Sequence, residues 1–422
     1  MPIPENQRLH FIDHLRAFMF LLMAFDHSLH AYAYYWGRFW FFRDHDRSIG
    51  FDVLYLQNQS IIMPMLFFIF GMFVLPSLAR RGAWGYVKER FIRLGIPYII
   101  GIPLMIPLLS YPKYHDFVNS DVGYFEFWLG SDFQFWNSIF FTERLQGGGP
   151  FWVLYAMALY SAVLIIACKL LPWVFRSLVN FIKWTIENPV LGFVIWGSFS
   201  AVLLGVSDLI WGAPWWIGFW RIFHLQASRF LLVLAYFFLG AAVYQSGILT
   251  NQDLMQRFSN QWAKLSILTA VLGVAYVWYS LAYFYDGAYG DEFHTLLREK
   301  GWLATGLWEL VVTEAPGVLV RTTLHGFFCL SQMLLLLAVF YKFVSKPTRL
   351  WTFLAANCYG FFLFHEAVVI WCQYGLNATE LPIVFKFSLT AFVGIVFTFL
   401  FNDKILLRIP IVRRVLSPEY RV

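Results

Sequence analysis

Residues 11–27 read FIDHLRAFMFLLMAFDH, an apolar run of spanning character that nevertheless holds Asp13, Arg16, Asp26 and His27. Ionisable groups at bilayer depth are costly and mark function rather than anchoring. Arg16 and His27 are eleven residues apart. On a helix this leaves them about 20° apart around the axis and about 16 Å apart along it. Asp13 and His30 each fall within about 60° of Arg16, whereas His14 points to the opposite side. The stretch therefore predicts a transmembrane helix with one polar stripe at two depths, turned toward other helices rather than lipid.

Composition supplies those other helices. The 422-residue chain is 59% hydrophobic and only 13% charged, about half the charge of an ordinary soluble domain at about 25%. Taking spans of about 20 residues as the template, about ten apolar segments follow one another: 11–34, 53–78, 91–110, 151–175, 189–211, 228–247, 265–285, 317–343, 350–375 and 382–401. The fold class expected is all-α, a polytopic membrane protein forming a single transmembrane domain over 1–422 with no appended soluble domain. The third segment carries Pro97, Pro103 and Pro107, which free backbone carbonyls and predict a bent or re-entrant element. The first segment lacks the cleavage pattern of a signal peptide.

Basic residues set the orientation, because Lys and Arg accumulate on the cytoplasmic side. With both termini cytoplasmic, about 19 of the 31 Lys and Arg lie on that side and about 8 outside. Arg16, Arg229, Arg321 and Lys386 lie within segments. The cluster Arg80, Arg81, Lys88, Arg90, Arg93 and the tail Lys404, Arg408, Arg413, Arg414 carry most of the bias. The loops at 111–150 and 286–316 are acidic, with Asp116, Asp121, Glu126, Asp132, Asp286, Asp291 and Glu292. The net charge of +6 thus reflects topology facing membrane lipids, and nucleic acid is not an expected partner. Trp211, Trp215, Trp216 and Trp220 are read as an interfacial aromatic belt, although sugar rings also stack on such faces.

Cys168, Cys329, Cys358 and Cys372 stand singly in apolar segments and read as small buried hydrophobes. His27 and His30 have no third ligand at metal spacing, so no metal is expected. Arg90 and Arg93, three residues apart in KERFIRLGIP (88–97), share a helix face and can converge on one polyanion. Lipid headgroups are the plainer partner for the same pair.

Several motifs together resemble the acyltransferase-3 family of integral membrane enzymes, and within it the branch that contains the succinyltransferase of osmoregulated periplasmic glucans. They are Asp13-x-x-Arg16-x10-His27, Phe67-Phe-Ile-Phe-Gly71-Met-Phe, Arg90-x-x-Arg93-Leu-Gly-Ile-Pro97, Gly149-Pro-Phe151-Trp152-Val-Leu154 and Tyr359-Gly-Phe-Phe-Leu-Phe-His365. They lie in the first half of the chain and in a patch near its C-terminus. The family often has Ser-Gly where this chain has Phe70-Gly71, so no role is carried over to that position.

The resemblance implies transfer of an acyl group from cytoplasmic acyl-CoA to a hydroxyl of a periplasmic or cell-surface glycan, in a bacterial cytoplasmic (inner) membrane. Acetyl-CoA is the donor expected of the family at large and succinyl-CoA that of the closer branch. Arg16 and His27 match the family's essential pair, and Arg90 and Arg93 its CoA-holding pair. The chemistry agrees: attack on a thioester needs a base for the hydroxyl proton, and histidine is the side chain poised near neutral pH. Asp13 is placed to fix the Arg16 guanidinium, and Asp26 or Glu366 to orient an imidazole. His30, His365 and Arg321 are further supporting candidates, and Arg229 and His325 also face inward, some of these pairing with each other. An acyl-histidine intermediate and direct transfer are both compatible with these residues. A transporter or flippase is the alternative, since intramembrane charges also line substrate paths.

Overall fold

The computed structural model describes residues 9–130, 149–211, 216–219, 223–286 and 315–416. Trp215, Trp220, Asp132, Asp291, Glu292 and the side chains of Trp216 and Asp286 lie outside that description. Helix α1 (His10–His30) spans about 31 Å at 1.5 Å per residue. It is enclosed by α2 (Ile49–Gln59), α3 (Ile62–Met72), α13 (Ala315–Phe343), α14 (Arg349–Asn377) and α15 (Ile383–Lys404). Enclosure explains how a helix this polar sits in the membrane. The other spans are α5 (Ile96–Phe117), α7 (Trp152–Leu170), α9 (Pro189–Trp211), α10 (Ala227–Ser246) and α12 (Trp262–Asp286). Among the described residues nine segments are long and apolar enough to cross a membrane, counting α2 with α3 as one. Helix α1, as long as a span but carrying Asp13, Arg16 and Asp26, lies outside these nine; the whole is the all-α polytopic fold expected. Val202, Ile267 and Phe392 are exposed on the outer faces of α9, α12 and α15, as lipid contact requires.

The shorter elements are α4 (Val74–Arg90), α6 (Tyr124–Leu129), α8 (Pro172–Glu187), the hairpin β1 (Trp216–Phe219) and β2 (Phe223–Gln226), α11 (Gln252–Ser259) and α16 (Pro410–Leu416). In the hairpin the strands pair antiparallel with Trp216 opposite Gln226. Gly82, at φ 71° inside α4, supplies the left-handed turn that a side chain resists. The chain then continues through one π-helical stretch, Phe91–Gly95, into α5.

Three boundaries differ from the sequence expectation, each for a packing reason. The first helix stops at His30 instead of residue 34, because the next loop folds back as a buried plug. The Asp52 carboxylate gathers the backbone N–H groups of Tyr34, Tyr35 and Trp36, and Asp44 meets Lys386 at 3.1 Å in a buried ion pair. The second span is broken between Gln59 and Ile62. Arg229 donates to the exposed carbonyl of Gln59 and Gln332 to that of Gln57.

The third correction concerns the proline-rich segment. It is not re-entrant; α5 runs on for 22 residues with Pro103, Pro107 and Pro112 inside it. A proline at position i leaves the carbonyl at i−4 without its donor. Pro97 so frees the carbonyl of Arg93, and the Tyr359 hydroxyl donates to it. Pro112 frees that of Leu108, and the Trp371 indole N–H donates to it at 2.9 Å. Both donors come from α14, so one neighbouring helix repairs the backbone at Pro97 and Pro112.

Helices α3 and α10 meet through glycine. A methyl group added at Gly71 would overlap the carbonyl of Phe237, and one at Gly240 the carbonyl of Phe68. The crossing is reciprocal, each glycine receiving the other helix's backbone. It holds Phe70, the neighbour of Gly71, at the wall of the cavity described next.

Candidate active site

His27 lies one turn from the end of α1, yet α14 passes it at mid-length. His365 of α14 brings its Nε2 to 3.1 Å from His27 Nδ1, the rings stacked at 5.1 Å between centroids. His365 is fully buried, and its Nδ1 lies 2.8 Å from the carbonyl oxygen of Phe362. A carbonyl only accepts, so this nitrogen carries the proton. The tautomer of His365 then leaves Nε2 as acceptor, and His27 Nδ1–H must donate to it. The lone pair of His27 is thereby assigned to Nε2, the nitrogen not used in the pair.

The backbone beneath His27 is fixed as well. Gln373 donates from Nε2 to the carbonyls of His27 and Ser28, at 3.1 and 3.0 Å. These belong to the orphan acceptors of the last helical turn. Trp40 donates to Gln373 Oε1 at 2.8 Å and lays its ring 5.0 Å from that of His27.

Along the same two helices a cavity of about 170 Å³ is lined by Arg16, Arg90, Arg93, Phe70, Tyr359 and Phe362, among others. Arg16 and the Arg90–Arg93 pair, picked out separately by spacing, thus converge on one space. Asp13 meets Arg16 at 3.1 Å, the fixing role expected of it. Glu89 accepts from Arg93 Nε at 2.9 Å and also pairs with Arg81. Arg90 extends over the Tyr86 ring at 4.9 Å. Phe362 is the hinge of the arrangement: its ring lines the cavity and its carbonyl sets the His365 tautomer.

The remaining candidates divide. Asp26 Oδ2 lies 3.0 Å from His30 Nε2 and accepts from Gln59 at 2.6 Å, so the imidazole it orients is that of His30. Glu366 is buried, with Oε2 meeting no hydrogen-bonding partner among the described residues. It is His365, rather than either carboxylate, that hydrogen-bonds to His27. Arg321 stands elsewhere, paired with Asp208 beside Arg229 and His325 at a second cavity. Cys329 and Cys358 are buried and none of the four cysteines is in a disulfide. Among the described residues no group of three His, Cys, Asp or Glu side chains could hold a metal.

Three contributors carried no role in the sequence reading. Tyr359 caps the Arg93 carbonyl, Gln373 clamps the end of α1, and Gln59 bridges Asp26 to Arg229. Each had a signal: Pro97 stands four residues after Arg93, and an uncharged amide inside an apolar segment needs a partner.

The model of the acyltransferase domain matches residues 9–403, which includes the stretch from 180 to 350 where no motif was quoted. No curated protein and no solved structure matches the chain. With a match over nearly the whole length of an all-α polytopic membrane protein, the chain belongs to the acyltransferase-3 family.

Proposed function

We propose that the chain moves an acyl group from acyl-CoA, entering at the basic end of the helix bundle, to a hydroxyl of a glycan that reaches His27 from the opposite end. The observation that carries this reading is that α1 and α14, which bring His27 against His365, also supply Arg16, Tyr359 and Phe362 to a cavity shared with Arg90 and Arg93. The basic end is the cytoplasmic one, and the membrane is the bacterial inner membrane. Forked guanidinium groups suit the phosphates of the donor. A space of about 170 Å³ is below the 300–1,000 Å³ of pockets that enclose whole drug-sized ligands. The thioester arm enters it while the nucleotide stays at the arginine mouth.

His27 Nε2 takes the proton of the attacking hydroxyl as its oxygen bonds to the thioester carbon. The carbon–sulfur bond then breaks, and the proton passes from the imidazolium to the leaving thiolate, giving free CoA. His365 holds the imidazole in the tautomer that exposes Nε2, and through it shares the developing charge with the Phe362 carbonyl. The acyl group is acetyl, or succinyl if the likeness to the periplasmic glucan succinyltransferase branch extends to substrate.

The test is transfer of label from radioactive acetyl-CoA and succinyl-CoA to glycan by the purified, detergent-solubilised protein. Label on the glycan, lost in His27→Ala, is expected. CoA release and glycan labelling that persist in that variant would sink the role given to His27.

A further inference from the structure

The second cavity lies on the far side of the histidine pair from the arginine mouth. Asp208 closes α9, Ser228 and Arg229 open α10, and Arg321 and His325 come from the first half of α13. Its free space is about 10 Å³, enough for one water-sized group. The walls are unbalanced in charge. Arg321 is neutralised by Asp208 and flanked by the rings of Tyr283 and Phe284 at 5.2 and 5.1 Å. Arg229 meets no carboxylate among the described residues; its acceptors are the neutral carbonyl and amide oxygens of Gln59, at 2.9 and 3.2 Å.

The walls are unbalanced in hydrogen bonding too. Ser228 and His325 are both about 98% buried, yet Ser228 Oγ, His325 Nε2 and Arg321 Nε find no partner among the described residues. Buried polar atoms are ordinarily satisfied, and a set left open around a cavity calls for a ligand atom. Two guanidinium groups, a hydroxyl and an imidazole face one carboxylate, an excess of donors and of positive charge. The complement is a group that only accepts and is negative, one oxygen of which fills the space.

We infer that this cavity is a subsite for an anionic group, a carboxylate or phosphate ester, carried by the sugar acceptor, with Arg229 as its principal contact. The inference rests on the reading of the chain as a glycan acyltransferase. It adds how the acceptor is held: Arg229 joins Gln59, Gln59 joins Asp26, and Asp26 joins His30, whose ring lies 5.4 Å from that of His27. An acceptor seated by its anionic group on Arg229 therefore reaches the reaction centre along a continuous polar wall.

Equilibrium dialysis of the full chain in detergent with radiolabelled glucose, glucuronate and glucose 6-phosphate tests this without requiring acyl transfer. At least one anionic sugar is expected to bind about tenfold or more tightly than glucose, and the pair identifies carboxylate or phosphate. The preference should survive His27→Ala and the double change Arg90→Ala with Arg93→Ala, persist in part in Arg229→Lys, and vanish in Arg229→Gln. Equal binding of the three sugars by the wild type would overturn the inference. So would a preference lost with Arg90 and Arg93 but kept in Arg229→Gln, which would place the anion in the other cavity. Binding that behaves as expected while glycan labelling fails would keep the subsite and remove the acyltransfer reading.

Discussion

The Tyr359 hydroxyl donates to the Arg93 carbonyl, the one that Pro97 leaves open on the helix turn that carries Arg93 to the cavity. A packing repair and a proposed binding residue are thus one piece of backbone. Tyr359→Phe removes the donor and is expected to cost about 1–2 kcal/mol, read as a lowered midpoint of thermal unfolding in detergent. It should also raise KM for acyl-CoA more than it lowers kcat, because Arg93 loses its seat. Pro97→Ala restores an N–H to the same carbonyl, so the Tyr359→Phe penalty should shrink in that background. Equal penalties in both backgrounds would break the link between the proline and the tyrosine.

The tautomer relay from Phe362 through His365 to His27 makes different demands on the two histidines. Loss of the base in His27→Ala is expected to lower kcat by about 10²- to 10⁴-fold. His365→Ala leaves the base in place but unoriented, with a smaller loss of about 10- to 100-fold in kcat and little change in either KM. His365→Gln can return an acceptor oxygen near the position of the lost Nε2, and should recover part of that rate. Steady-state kinetics of the three variants decide it, and His365→Gln no better than His365→Ala would remove the orienting role.

Glu89 is a carboxylate standing among the arginines proposed to hold the donor. It accepts from Arg93 and Arg81, and so competes with any phosphate for the same guanidinium groups. Glu89→Gln keeps the shape and removes the charge, and KM for acyl-CoA is expected to fall by about two- to fivefold, the effect weakening as salt is raised. Arg93→Ala should move KM the other way, by about tenfold. A rise of KM in Glu89→Gln would mean that the carboxylate serves to position Arg93 rather than to compete for it.

The polar stripe of the first helix was legible because ionisable residues in an apolar run need a protein neighbour, and α1 does sit inside the bundle. Its end was not. Residues 31–42 read AYAYYWGRFWFF, as apolar as the helix before them, and the turn is imposed by Asp52 and by the Asp44–Lys386 pair from distant elements. The prolines of α5 pointed correctly to freed carbonyls, but whether a helix bends there depends on a donor such as Tyr359, 266 residues away along the chain. The site divides on the same line. Asp13–Arg16 and Arg90–Arg93 are local spacings and were readable. Asp26 with His30 is local too, at four residues, and the imidazole that Asp26 orients is that of His30. His365 against His27 joins α1 to α14 across 338 residues of chain, and no spacing rule reaches that far.

The glycine crossing gives the sharpest stability test, because it separates close approach from helix propensity. At Gly71 and Gly240 the obstacle to a side chain is backbone of the facing helix, which cannot rotate away. Either helix must shift, and Gly71→Ala or Gly240→Ala is expected to destabilise by about 1–3 kcal/mol or more. The shift would also displace Phe70 and so disturb the arginine cavity. Gly375, near the end of α14, has nothing within 4 Å of where a Cβ would stand. There Gly375→Ala gains helix propensity and should stabilise by up to about 1 kcal/mol. Thermal unfolding followed by fluorescence-detected gel filtration ranks the three. Tolerance of alanine at both Gly71 and Gly240 would show that α3 and α10 can separate without loss, and that the cavity wall does not depend on their contact.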